Sequence, residues 1–173
     1  MDIRRASDED SEVIRAIYNA EVLGSTVTFD LVPRTPEEQR GWMEAHAGAY
    51  PVVVAVDAGA VVGFASLSPY RPRPAYATTG EDSVYVAAEA RGGGIGKALL
   101  AELVALATVH GFHSVIGRIV GDHEASIALH RSCGFSLVGV EREVGRKFGR
   151  WLDVAVMQRL LEERGPAAAR PSP

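Results

Sequence analysis

The chain has 173 residues, 47% of them hydrophobic and 23% charged, which suits one soluble domain with its own buried core. A formal net charge of −4 excludes a broad basic field for nucleic acid or an anionic membrane surface, so a polyanionic ligand would have to be held locally. Cys133, the single cysteine, excludes an intrachain disulfide framework; with no membrane-length apolar run and a charged start, MDIRRASDED, unlike a signal peptide, the chain is expected in the cytoplasm.

In chain order, DIRRAS predicts a short strand ending at Ser7, a suitable N-cap. Ile14, Ile17 and Tyr18 then recur at helical spacing, giving a first helix to about Ala20. GSTVTFDLVPRTP is turn-rich, and Thr35-Pro36-Glu37-Glu38 opens a second helix with proline and acids in its first turn. VVVAV and VVGFASL, joined by Asp57-Ala58-Gly59-Ala60, predict an antiparallel hairpin. RPRPAYATTGED is too rich in proline and glycine for a regular element and leads into a strand from Asp82. Beyond a run of glycines, Leu99, Leu103, Leu106 and Ala107 share one helical face until Gly111. HSVIGRIV reads as a strand and EASIALHRSC as a helix closed by Gly134. FSLVGVEREV and WLDVAVMQRLL flank a Gly145–Gly149 turn as a final strand pair. Residues 1–164 are thus one α/β domain, with parallel and antiparallel strand pairs covered by helices, and 165–173, GPAAARPSP, are expected to be disordered.

The stretch VYVAAEARGGGIGKALL places Gly92, Gly93, Gly94 and Gly96 between a strand and a helix. Such a turn suits an anion, because backbone N–H groups converge at the positive end of a helix dipole. The P-loop pattern anchored on Gly96-Lys97 fails, with Arg91 where glycine is needed and Ala98 where Ser or Thr is needed. The dinucleotide fingerprint fails as well, since Leu99 or Lys97 stands where a small residue must be. What fits is [QR]-x-x-G-x-[GA], here Arg91-Gly92-Gly93-Gly94-Ile95-Gly96, which resembles the pyrophosphate loop of the GNAT family of N-acetyltransferases.

The surrounding order, a strand, the glycine loop, an amphipathic helix, a strand and SIALHRSCGF, resembles that family's cofactor-binding half over roughly residues 82–135. STVTF, RPRPAY, EDSVYV, ALHRSCGF and VGRKFGRWLDVAVMQ further resemble the phosphinothricin and methionine sulfoximine acetyltransferases, nearly end to end. The resemblance implies a mixed, mostly antiparallel sheet with central parallel strands that splay apart, flanked by helices. It implies acetyl-CoA as co-substrate and no metal. Backbone groups of Val84, Tyr85 and Val86 would line the pantetheine arm like an added strand, and Gly92 to Lys97, with Arg91 and Ile95, would hold the pyrophosphate. Ser126 would reach the arm from the next helix. The family's usual Asn is replaced by His123, whose imidazole donates with different geometry.

Acetyl transfer to an amine requires removal of an ammonium proton, stabilisation of the thioester oxygen and tolerance of a leaving thiolate. The resemblance nominates Glu81, just before the strand, as the base, with Asp82 in support; a strand N–H near Val84 or Tyr85 would meet the oxyanion. His130, where many relatives carry Tyr, is open to the role of base, acid or both. Cys133 reads as core, because the family transfers acetyl directly. For the acceptor, Arg71 and Arg73, stiffened by Pro72, offer guanidinium forks to a carboxylate or phosphinate, with Phe29 and Tyr76 as an aromatic wall and Ser83 beside Glu81. Lys147 to Trp151 either cover the pocket or lie in a dimer interface, since the subfamily forms homodimers.

The leading expectation is N-acetylation of a small acceptor such as phosphinothricin, methionine sulfoximine or methionine sulfone. The same chemistry on an ordinary amino acid or a protein N-terminus, and a non-catalytic acyl-CoA-binding module, stay open. So does the choice between resistance and detoxification as the cellular role.

Overall fold

Val52–Asp57 (β2) and Ala60–Pro69 (β3) form the expected hairpin. It is closed by Ala58 and Gly59, both left-handed at φ 47° and 84°, as a two-residue turn matched to strand twist requires. The computed structural model describes residues 1–161; residues 162–164, assigned to the domain, and the expected tail, 165–173, lie outside the described residues. Asp2–Arg5 (β1) pairs antiparallel with β2, and Thr79–Val86 (β4) pairs antiparallel with β3. Ser114–Val120 (β5) lies parallel to β4, followed by the antiparallel strands Arg150–Leu160 (β7) and Ser136–Lys147 (β6). The sheet order is therefore β1-β2-β3-β4-β5-β7-β6, the mixed, mostly antiparallel arrangement expected.

Helices Ser11–Gly24 (α1) and Pro36–Ala45 (α2) cover one face, and Ile95–Val109 (α3) and Glu124–Ser132 (α4) the other. Val53 and Ala55 of β2 join Leu67, Leu99, Leu103 and Met157 on the α3 side, whereas Val52 and Val54 join Ile14, Tyr18 and Phe64 on the α1 side. Burial on both faces explains why VVVAV is an unbroken apolar run. Thr35 caps α2 as expected, exchanging hydrogen bonds with Glu38 in a capping box.

Four boundaries differ from the sequence reading. Ser7 starts a 3-10 turn at Asp8–Asp10 instead of α1, because its N–H donates to Asp10, whose carboxylate Arg4 also holds at 2.7 and 2.8 Å. Helix α1 runs beyond Ala20 to Gly24, since Val22 is in the core. Strand β4 begins at Thr79, so Glu81 lies within it and not before it. Gly80 belongs to the strand because the Leu67 side chain lies 2.6 Å from where its Cβ would be; the glycine marks close packing, not a loop. Likewise, Gly145 stays in β6 because the Phe29 ring lies where its side chain would be, and only Phe148 and Gly149, at φ 49° and 75°, make the last turn.

The feature that positions the site is a partial pairing. Strands β4 and β5 match only from Thr79↔Ser114 to Asp82↔Gly117. Beyond that rung β4 stays on β3 to Gly63↔Val86 and β5 stays on β7 to Val120↔Val154, so the two diverge into a V.

Candidate active site

Beyond Asp82, β4 has a free edge facing the V. Ala87 N–H donates to Val62 across β3 at 2.9 Å, so by alternation Tyr85 and Ser83 also turn their backbone groups toward β3. Those of Val84 and Val86 then point into the gap, which is the edge an extended amide chain would need. Arg91 takes up part of it, donating from Nε to the Val86 carbonyl at 3.0 Å and pairing with Glu21. Tyr85 contributes backbone only on the β3 side, its ring stacked 5.2 Å from Phe64.

A cleft of about 410 Å³ fills the V and is walled by Val84, Val86, the glycine loop and the start of α4. Gly92 and Gly94 are left-handed at φ 87° and 80°, and Gly94 is the N-cap of the 15-residue α3. Gly96 serves space instead: its Cβ would lie 3.2 Å from Leu129 of α4. The first-turn N–H groups of α3 have no intrahelical partner, and Ile95 and Lys97 also line the cleft, so the loop presents donors and a cation suited to a pyrophosphate. Gly93 is the one loop glycine outside the cleft wall. His123 and Ser126 reach the wall from the N-terminus of α4, His123 as its N-cap. These residues fit acetyl-CoA: a free strand edge for its amides and a helix N-terminus for its phosphates.

At the vertex, His130 Nε2 lies 3.0 Å from the Asp82 carboxylate, and its Nδ1 lies 2.7 Å from the Ser126 carbonyl. Both ring nitrogens face acceptors, an arrangement that favours the doubly protonated ring. Burial works against that charge, but the hydrogen bond and charge of Asp82 outweigh it and raise the His130 pKa. The pair sits on Gly117, where a Cβ would come within 2.8 Å of the ring. Asp82 therefore faces His130, on the sheet face opposite Glu81.

Glu81 and Asp82 are neighbours in β4 and so project from opposite faces of the sheet. Glu81 shares its face with Ser83 and with Ser68, its partner on β3, and is half-buried. Burial raises its pKa, against the opposing pull of Arg118 and Arg71. Arg71 lies over the rings of Tyr70 and Tyr76, at 5.0 and 5.9 Å, which holds its guanidinium near the carboxylate. Pro72 and Arg73 are exposed, Arg73 serving through its carbonyl, which accepts Tyr76 N–H at 2.9 Å. Phe29 packs on Gly145 of the last hairpin, and Lys147 donates to the Thr28 carbonyl at 2.9 Å, so that hairpin is tied to the α1–α2 connection.

Three residues escaped the sequence reading: Gly117, Arg118 and Glu141. Arg118 lines the cleft, lies on the Glu81 face of β5 and pairs with Glu141 of β6 at 2.6 Å. A glycine and an arginine inside the apolar run SVIGRIV were the available signal. Cys133 is buried with its thiol free, as expected of a core residue. Among the described residues no group of three His, Cys, Asp or Glu side chains could hold a metal, and no helix is long and apolar enough to cross a membrane.

The family model described as the acetyltransferase (GNAT) family matches residues 14–135. The chain is 44% identical over 163 residues to a phosphinothricin N-acetyltransferase of Streptomyces coelicolor, covering 92% of this chain and 95% of that one. It is 41% identical over 162 residues to an L-methionine sulfoximine/L-methionine sulfone acetyltransferase of Pseudomonas paraeruginosa, covering 92% and 94%. Among solved structures it superposes on a GNAT superfamily phosphinothricin acetyltransferase from Sinorhizobium meliloti in complex with AcCoA, with a TM-score of 0.91. That match has 44% identity and covers 98% of this chain and 94% of that one.

Proposed function

The chain belongs to the acetyltransferase (GNAT) family, and from that premise we propose that it transfers acetyl from acetyl-CoA to the α-amine of a small amino-acid-like acceptor. The acceptor class is that of phosphinothricin, methionine sulfoximine and methionine sulfone. The observation that carries the reading is the placement of Glu81 and Asp82 on opposite faces of β4 at the rung where the V opens. The cofactor cleft, with the Asp82–His130 pair on one face, and a half-buried carboxylate among guanidinium groups on the other face meet at that rung.

Acetyl-CoA, when bound, supplies an activated thioester. Val84 and Val86 offer it a strand edge, and Gly92 to Lys97 offer its pyrophosphate a helix N-terminus, with His123 and Ser126 alongside. Glu81 takes the proton from the acceptor ammonium, directly or through water; burial raises its pKa, which makes it a stronger base than an exposed carboxylate. Val84 N–H, which faces the gap, is the oxyanion donor in preference to Tyr85 N–H, which faces β3. His130, biased toward its charged form by Asp82, stabilises negative charge at the vertex or gives up a proton to the leaving thiolate.

A homodimer accompanies this reading, supported by Val138, Val140, Val144, Phe148 and Trp151, all exposed on the terminal hairpin. A cytoplasmic location accords with the free thiol of Cys133 and with the need for acetyl-CoA.

The test is a panel of amines with acetyl-CoA, read by release of free thiol: phosphinothricin, methionine sulfoximine, methionine sulfone, common amino acids and an N-terminal peptide. Preference for the first three is expected. Preference for the peptide or a common amino acid would move the acceptor class, and acetyl-CoA binding without turnover on any amine would make the chain a binding module.

A further inference from the structure

Arg118 is the first residue of β5 beyond its last pairing with β4, at the point where the V begins to open. Gly117 before it faces the His130 side, so Arg118 projects from the other face, the face of Glu81. In the β4–β5 register Glu81 is opposite Ile116, and Arg118 is two residues further along the same face. The two side chains are diagonal neighbours, close enough for long side chains to meet. The Arg118 side chain is 29% exposed, lines the cleft and is held 2.6 Å from Glu141, a residue of the edge strand that is itself 37% exposed.

An α-amino acid carries its amine and its carboxylate on one carbon. A base that takes the amine proton therefore has the α-carboxylate beside it, and that carboxylate needs a donor adjacent to the base. Arg71 comes from an exposed loop and suits the acceptor's side-chain oxyacid or sulfone group. Arg118 is rigidly placed on a central strand, next to Glu81, with a planar fork that matches a carboxylate. Its present partner, Glu141, is already a carboxylate, which shows that the position accepts one. Resting on the acceptor class proposed above, we propose that Arg118 holds the α-carboxylate of the acceptor, exchanging Glu141 for it when the acceptor enters.

The experiment compares methionine sulfone with its carboxamide in the wild type and in Arg118→Met, Arg118→Lys and Glu141→Gln. Acetyl-CoA binding measured by calorimetry serves as the check that each variant is folded. Referring each variant to the wild type cancels the different basicities of the two amines. In Arg118→Met, kcat/KM for the carboxylate acceptor should fall about ten- to hundredfold, the scale of a lost charge-assisted hydrogen bond, while that for the carboxamide changes little. Arg118→Lys should recover part of the difference, keeping the charge without the fork. Glu141→Gln should lower KM for the carboxylate acceptor only, because the competing anion is gone. Equal losses on both acceptors in Arg118→Met would overturn the proposal and give Arg118 a role at the thioester or in the fold. So would an unchanged preference. If the wild type turns over neither compound but acetylates other amines, the proposed acceptor class fails, and this assignment with it.

Discussion

The Asp82 carboxylate and His130 Nε2 meet at 3.0 Å, 48 residues apart in sequence, with 1% and 4% of their side chains exposed. They span the vertex of the V from β4 to α4. Because the folded His130 pKa is raised, the stability from this pair is fully present below the ordinary histidine range, about 6.5, and is lost as pH rises through the folded value. Asp82→Asn should cost about 3–5 kcal/mol at pH 6, the usual result of removing one partner from a buried pair. The deficit should shrink as pH rises through the folded His130 pKa. Urea unfolding of both proteins over a pH series starting at pH 6 measures this; a deficit that grows with pH would overturn the assignment.

Glu81→Gln preserves shape and removes basicity. Turnover should fall by about a hundredfold or more, with acetyl-CoA affinity intact and partial rescue at alkaline pH as the free amine loses its own proton. In the wild type, activity should be lost as pH falls through the Glu81 pKa, which burial places above the usual carboxylate range. Steady-state pH profiles of kcat/KM test both statements. If His130→Ala were the more damaging change and Glu81→Gln mild with an unaltered profile, the roles would be exchanged.

Gly117→Ala places a methyl group 2.8 Å from the His130 ring and 3.1 Å from Asp82 Oδ1. Neither neighbour can retreat without breaking the pair, so stability should fall by about 1–3 kcal/mol and acetyl-CoA binding should weaken with it. Gly139→Ala, also in a strand but with no atom within 4 Å of the added carbon, is the control and should be close to neutral. Thermal melts and acetyl-CoA titrations of the two variants separate crowding at the vertex from a general cost of replacing strand glycines.

The two arginines of PYRPRPAY should differ. Arg71, placed over Tyr70 and Tyr76 and within charge reach of Glu81, should on replacement by alanine raise KM for an acidic acceptor about three- to tenfold, the effect of losing roughly 1 kcal/mol of solvent-screened attraction. Arg73→Ala, altering an exposed side chain, should change it by less than about twofold. KM for acetyl-CoA should be unaffected by either, and equal effects of the two substitutions would make the loop a scaffold without a directional contact.

The cofactor half was legible in the sequence because its determinants are local. A glycine at φ 80° before a helix, a lysine in the first turn and an amphipathic run behind them follow from a few consecutive residues, and Arg91 to Lys97 carried that information unaided. The same holds for the β2–β3 turn and the Thr35 cap. Glu81 and His130 could be named as titratable candidates, but their roles could not be assigned, because a carboxylate and an imidazole are tuned by what surrounds them. Gly80 and Gly145 misled in the same way: a glycine in sequence cannot tell a turn from a place where Leu67 or Phe29 must fit. Only the tertiary structure decided that Asp82 belongs to His130, that Glu81 faces the other way, and that Arg118 and Glu141 stand beside it. Strand alternation decides which residues share a face, but which strands lie adjacent, and where their pairing stops, depends on long-range register. Here the pairing of β4 with β5 stops at Asp82↔Gly117, and that one rung sets the cleft, its charged vertex and the carboxylate on the opposite face.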